Sequence, residues 1–188
     1  MPAITGTSST YEPNDIEIGS NNTIWIGTEY NAFGFGGGTV LKSTNGSSFT
    51  VARTYANARR TEIAVSSSNP NKVYALYHIS GAPKMEVTTN GFSSTTSITT
   101  PADADTGIPN TDFTRGQSWY DLVLEVDPSN DAIVYVGGID LFRSTTSGTA
   151  WKQISKWSNN NNLRNMDISL VHADQHSWAF HPTDSNKA

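Results

Sequence analysis

Cysteine is absent from the chain, which removes disulfides, zinc–thiolate sites and cysteine nucleophiles together. Long apolar runs are missing too: no stretch of about 18 hydrophobic residues exists, so nothing reads as a membrane-spanning helix. Basic clusters are scarce, none larger than Arg59-Arg60, and the formal charge is −5 with a pI near 5.2. That balance argues against a nucleic-acid partner. The opening residues MPAITGTSST carry neither a charged nor an apolar region, so they do not read as a signal peptide. Strong helix formers are few. Thr, Ser, Asn and Gly abound instead, which suits many short strands joined by turns. Hydrophobic residues make up 36% of the 188, enough for one core or a short array of repeats.

The chain repeats itself. DIEIGSNNTIWIGT (15–28), EIAVSSSNPNKVYALYH (62–78), LVLEVDPSNDAIVYVGG (122–138) and HSWAFHPTDSNKA (176–188) share one pattern. Aligning Val65 with Val126 places Tyr74 on Tyr135 without a gap, and Phe180 aligns with both valines. The first copy has a shorter turn and places Ile18 on Val65 and Trp25 on Tyr74. Each copy is an alternating strand, a turn of Asn, Pro, Ser or Asp, and a more apolar strand. A third strand follows at 39–42, 85–88 and 140–143, and a fourth at 49–54, 95–99 and 151–155. Four short antiparallel strands per unit is the pattern of a β-propeller blade.

The fold class expected is therefore all-β, with blades at 15–55, 61–100 and 120–157 and the first strand of a truncated fourth at 176–188. Residues 1–14 read as an N-terminal strand or arm, 101–119 as an inserted loop, and 158–175 as a loop to the channel mouth. Propellers close with about four to eight blades, so three blades and the start of a fourth make an incomplete ring. The partners expected are other copies of the chain or the remainder of a larger propeller. Head-to-tail pairing of copies gives a ring if it closes and a filament if it does not. Residues 2–10 are expected to serve as an outer strand on an exposed edge.

The turns between third and fourth strands carry a family resemblance. RSTTSGTAW (143–151) fits S-x-x-x-G-x-x-W and resembles the Asp-box of sialidase-like (BNR), sortilin-like and xyloglucanase-like propellers. Thr146 stands at the box's Asp and Ala150 at its Thr, while KSTNGSSF (42–49) is one residue short with Asn45 at the Asp place. VTTNGFSS (87–94) is a weaker match. In that family the box bonds its own turn backbone and is not catalytic. The resemblance thus implies structural roles for Ser43, Asn45, Gly46, Phe49, Ser144, Gly148 and Trp151. GQSWYDLVLEVDPSNDAIVYVGGIDLFRS (116–144) and VHADQHSWAFHPTDSNKA (171–188) are similar to repeat modules of large secreted surface proteins of Bacteroidetes. That similarity implies an extracellular or cell-surface location.

In a propeller the first strand of each blade lines the channel, and ligands meet the loops at one mouth. The residues leading into those strands bring Arg59, Arg60, Glu62, Trp119, Tyr120, Asp121, His172, Asp174 and His176 to one expected rim. If HADQH is extended, His172, Asp174 and His176 share one face and could bind a divalent transition metal. The alternative is that they hydrogen-bond one another and neighbouring turns. PADADTG places Asp103 and Asp105 ahead of Gly107, partly like a calcium loop, though the third early carboxylate and the terminal Glu are missing. A solvated acidic insertion is the other reading, and no other cofactor is implied. GFGGGT (34–39) lacks the Lys-Ser/Thr of a phosphate loop and reads as a flexible connection, with Phe33 and Phe35 offering an exposed face. Trp119 and Tyr120 are candidates for stacking on sugar rings. Trp157 reads as core, and Trp178, which aligns with Ile63 and Leu124, as structural.

Two functions follow. A glycoside hydrolase needs a carboxylate pair around the scissile bond, and Asp121 with Asp174 is the best pair available. A sialidase would further need an arginine cluster, and only Arg59-Arg60 is present; neither G-x-S-x-G nor H-E-x-x-H occurs. The leading expectation is instead a non-catalytic extracellular module that binds a glycan or protein, or serves in structural assembly. Asp-box hydrolase is the alternative.

Overall fold

The computed structural model describes residues 3–5, 10–80, 82–181 and 184. Their regular structure is almost all short strands, in two compact units: Met1–Ser80 with Met85–Ser97, and Gly81–Lys84 with Ile98–Ala188.

The first unit holds two blades. β1 (Ala3–Thr5), β2 (Glu12–Ile18), β3 (Ile24–Glu29), β4 (Thr39–Ser43) and β5 (Ser48–Thr54) form a sheet in the order β1-β5-β4-β3-β2. β2 to β5 are an antiparallel meander, and β1 adds to the outer edge parallel to β5. Of residues 2–10, expected as an outer strand, 3–5 pair with β5 of the chain's own first blade; residues 2 and 6–9 lie outside the described residues. The second blade is β6 (Ala58–Val65), β7 (Val73–Ile79), β8 (Lys84–Thr88) and β9 (Thr96–Ile98), again in chain order.

The second unit carries the third blade: β10 (Val123–Val126), β11 (Val134–Gly137), β12 (Leu141–Ser144) and β13 (Lys152–Gln153). Its fourth strand is interrupted at Ile154. The chain then continues as β14 (Ser155–Lys156), passes a 3-10 helix (Asn161–Asn165), and returns as β15 (Ser169–Leu170) parallel to β14. That small sheet was not foreseen within the loop expected at 158–175. Lys156 closes it, its ammonium donating to the carbonyls of Leu163 (3.2 Å) and Met166 (2.7 Å).

The same register repeats in each blade. Ile18 faces Ile24 as Val65 faces Val73 and Val126 faces Val134. The three sheets are propeller blades, fewer than the about four to eight that close a ring. Residues 176–180, expected as the inner strand of a further blade, carry no ladder of their own, and 182, 183 and 185–188 lie outside the described residues.

Blade 1 and blade 2 share a core of Trp25, Val40, Ile63, Val65, Val73, Ala75, Tyr77 and Phe92. Trp25 meets Phe92 edge-on at 5.8 Å. β3 runs so close to β6 that a Cβ at Gly27 would lie 2.4 Å from the Thr61 carbonyl oxygen, so only glycine fits there. In the second unit Phe113, from the inserted loop, packs edge-on against Phe142 of β12 at 5.5 Å. The insertion is thereby part of that core.

The turns before the fourth strands are held by side chains. Ser43 Oγ accepts from the amides of Asn45 (3.4 Å) and Gly46 (2.9 Å), and Asn45 Oδ1 accepts from those of Ser47 (2.9 Å) and Ser48 (3.0 Å). Ser144 Oγ accepts from Thr146 (3.1 Å) and Gly148 (2.9 Å), and Trp151 Nε1 donates to the Thr99 carbonyl at 2.7 Å. Gly46 and Gly148 both have positive φ, at 70° and 84°, which is what these tight turns ask of glycine.

Candidate functional site

The residues expected on one rim fall into two groups, one in each unit. In the first unit Glu62 is the centre. It is buried on β6, and its Oε1 accepts from Arg60 Nε (2.7 Å) and Asn14 Nδ2 (2.7 Å). Asn14 also donates to the Thr61 carbonyl, and Asp15 Oδ2 accepts from the Ile63 amide at 2.8 Å. The inner strands of two blades are thus tied by polar side chains.

A bulge makes this possible. The β2–β3 register shifts between Pro13 and Asp15, so the extra residue Asn14 is re-aimed and reaches β6 together with Asp15. β6 has its own shift between Ala58 and Arg60. Burial pushes the Glu62 carboxyl up to about 7; the nearby Asp15 charge adds to this and Arg60 opposes it. Burial also raises Asp15, against the Ile63 amide that favours its charged form. The pair therefore holds a proton through the weakly acidic range. Arg59, by contrast, is exposed, its guanidinium 5.9 Å from the centre of the Tyr30 ring.

In the second unit the loop before β10 presents aromatic rings. Asp112 organises it, accepting from the Thr114 amide and hydroxyl through Oδ1 and from the Gly116 amide through Oδ2. The Tyr120 and Asp121 amides then donate to the Gln117 carbonyl at 2.7 and 3.1 Å. Trp119 and Tyr120 are left 62% and 48% exposed, ring centres 5.4 Å apart, and the exposed His176 packs edge-on to Tyr120 at 4.6 Å. Asp121 is fully buried.

Segment 172–176 reaches this place by a turn. Gln175 donates from its amide to Gly138 O (2.8 Å) and from its side chain to His172 O (2.6 Å). Asp174 has φ 69°, which breaks the two-residue alternation that would align His172, Asp174 and His176. His172 Nδ1 instead lies 2.7 Å from the Ala173 carbonyl oxygen. Among the described residues no three His, Asp or Glu side chains converge to hold a metal ion.

Asp103 and Asp105 do come together, around a cation of the chain itself. Arg115 Nε donates to Asp103 Oδ2 and Nη1 to Asp105 Oδ2, both at 2.9 Å, so the guanidinium takes the position a calcium ion would need. Arg115 also lies over Trp157, whose ring is partly exposed rather than core. Burial opposes ionisation of Asp105, but the Thr106 amide and Arg115 outweigh it and hold its pKa below the usual carboxylate range. Asp140 stands behind this group, accepting from Gln153 Nε2 at 3.0 Å, and burial with the Asp103 charge pushes it up to about 7.

The loop at 34–39 is pinned, not loose. Asn31 Oδ1 accepts from the amides of Phe33 and Phe35, and its Nδ2 donates to the Thr10 carbonyl. Phe33 and Phe35 are 83% and 65% exposed. Trp178 stacks on Tyr135 at 4.7 Å, with Phe180 edge-on to the same ring at 5.6 Å.

Asn14, Asp15, Arg115 and Asp140 were missed from the sequence. Asp15 had a signal: aligning Ile18 with Val65 puts Asp15 at the position of Glu62.

No protein-family model matches the chain, and no curated protein does. Solved structures do. It is similar to YCF48 from Cyanidioschyzon merolae, at 15% identity and TM-score 0.50, over 79% of this chain and 40% of that one. YCF48 bound to D1 peptide matches at 17% identity and TM-score 0.51, over 79% and 42%. An ancestral GH74 enzyme matches at 23% identity and TM-score 0.53, over 77% of this chain and 18% of that one. The chain spans less than half the length of each, and the likeness is one of β-propeller fold.

Proposed function

We propose that the chain is a non-catalytic β-propeller binding module of the Asp-box kind, acting at the cell surface and taking up glycan chains on the platform of Trp119, Tyr120 and His176. The observation that carries this reading is the platform itself: neighbouring exposed rings held by an Asp112-organised loop. Flat aromatic faces beside polar groups suit the apolar face of a pyranose, and their rigidity lowers the entropy lost on binding.

Hydrolysis is less well supported. The raised carboxyls of Asp15 and Glu62 are taken up by the protein itself, accepting from the Ile63 amide and from Asn14 and Arg60, whereas a glycosidase places its two carboxyls around the scissile bond. Asp121 is enclosed in the protein and Asp174 sits in a left-handed turn. A second reading, a peptide ligand, is favoured by the likeness to YCF48 bound to D1 peptide.

A glycan array and a peptide array, each repeated with Trp119→Ala, test the two. Glycan binding that weakens about tenfold or more in the variant supports the platform reading. Peptide binding with the same sensitivity moves the module to the second reading. Binding indifferent to Trp119→Ala removes the platform, and glycan cleavage lost in Asp121→Asn or Asp174→Asn restores the hydrolase.

A further inference from the structure

Both faces of blade 1 are apolar. One contributes Trp25 and Val40 to the core shared with blade 2. On the other, the strand registers set Ile16, Ile26, Leu41 and Val51 in one row across β2, β3, β4 and β5. Tyr11 and Phe49 pack with the middle of that row, leaving Ile26 and Leu41 buried. Its ends stay open: Ile16 is 58% and Val51 39% exposed, and Ile18 beside them is 64% exposed. An antiparallel sheet with one solvated face normally turns polar there, and this one does not.

The rest of the chain shows what such a face meets. Ile16 and Ile18 hold the positions of Ile63 and Val65, since Ile16 faces Ile26 as Ile63 faces Ala75, and Ile18 faces Ile24 as Val65 faces Val73. Ile63 and Val65 are 0% and 8% exposed because they share a core with Trp25 of the preceding blade. In the second unit Tyr135, aligned with Trp25, is covered in the same manner by Trp178 and Phe180, which align with Ile63 and Val65. The rule within this chain is an aromatic ring set against two apolar side chains that lie two residues apart on the following inner strand. Among the described residues no such ring covers the pair Ile16 and Ile18.

We propose that this face of blade 1 docks a further four-stranded blade, one presenting an open aromatic side chain to Ile16 and Ile18. Among the described residues, no blade of a second copy offers an open ring at the matching place on its second strand. Trp25 and Tyr74 are fully buried, and Tyr135 lies under Trp178. The partner blade is therefore supplied from outside the described residues.

The test uses the chain alone and the chain with residues 10–57 duplicated in tandem ahead of it, so that an added Trp25 face meets the original Ile16 and Ile18. In the unextended chain an apolar dye binds, and Ile16→Asp with Ile18→Asp weakens dye binding while leaving Tm unchanged, because both side chains already face water. In the extended chain Tm rises by about 5 °C, and the same double substitution in the original copy cancels the rise. Absence of dye binding by the unextended chain overturns the open face, and an extended chain with no gain in Tm overturns the blade as its occupant. A dimer of the unextended chain that the double substitution dissociates overturns it in favour of a second copy.

Discussion

At the scale of single residues, Glu86 decides how firmly blades 1 and 2 hold together. Its buried carboxylate takes a two-pronged hydrogen bond from Arg53, at 2.7 and 2.8 Å, and a third from the Tyr77 hydroxyl at 2.8 Å. Burial and the Glu86 charge push the Tyr77 pKa up, so that hydroxyl keeps its proton and remains a donor. The hydrogen bond to Glu86 raises Arg53 likewise. Tyr77 is further fixed by Tyr55, stacked on it at 4.6 Å. Removing one partner of such a group leaves the others with unmet donors inside the protein, which is costlier than the net worth of the bonds. Glu86→Ala is expected to lower unfolding free energy by about 3 kcal/mol, measured by urea denaturation, with Arg53→Met in the Ala background recovering part of the loss. Equal stability of wild type and Glu86→Ala would sink this account.

At the scale of elements, the serine-led turns test whether punctuation carries stability. Ser144 is almost wholly buried, and its hydroxyl is the acceptor for the buried Gly148 amide. Ser144→Ala removes that acceptor where water does not replace it, and is expected to cost about 1–2 kcal/mol. Thr146→Ala, on the exposed side of the same turn, is expected to cost less, and the two are compared by thermal denaturation. A larger effect from Thr146→Ala would reverse the assignment. These turns were legible in the sequence because their chemistry is local: Ser, Asn and Gly at fixed spacing determine their own hydrogen bonds. The strands and their common register were legible because the repeat supplies the same apolar alternation three times. What was not legible depends on contacts distant in sequence. The bulge that brings Asn14 and Asp15 to β6 has no local signature, and Arg115 looks like an ordinary loop cation until it meets Asp103 and Asp105. The expected row of His172, Asp174 and His176 fails for a related reason. The backbone of Asp174 turns left-handed where Gln175 is hydrogen-bonded to Gly138, and strand alternation holds only while the backbone stays extended.

At the scale of the whole molecule, each unit contains a buried carboxyl pushed up to about 7, Glu62 in the first and Asp140 in the second. The sign of their effect on stability is opposite to that of a salt-bridged acid. Folding favours the protonated form of each, so between the ordinary carboxylate range and about 7 the native state binds more protons than the unfolded chain. Their contribution is complete below that ordinary range and is lost as pH rises through about 7. Asp105, held low, acts in the other direction and loses its contribution only in stronger acid. Stability is therefore expected to be greatest in weak acid and to decline on the way to neutrality, by on the order of 3 kcal/mol for the Glu62 contribution alone. Glu62→Gln keeps the size of the side chain and its carbonyl acceptor for Asn14 and Arg60 while removing the titration. In a series of Tm measurements from about pH 5 to pH 8, this variant is expected to lose much of the decline seen in the wild type. A wild-type Tm that climbs across that interval, or a variant with an unaltered slope, would mean that the Asp15–Glu62 pair does not hold its proton in the folded protein.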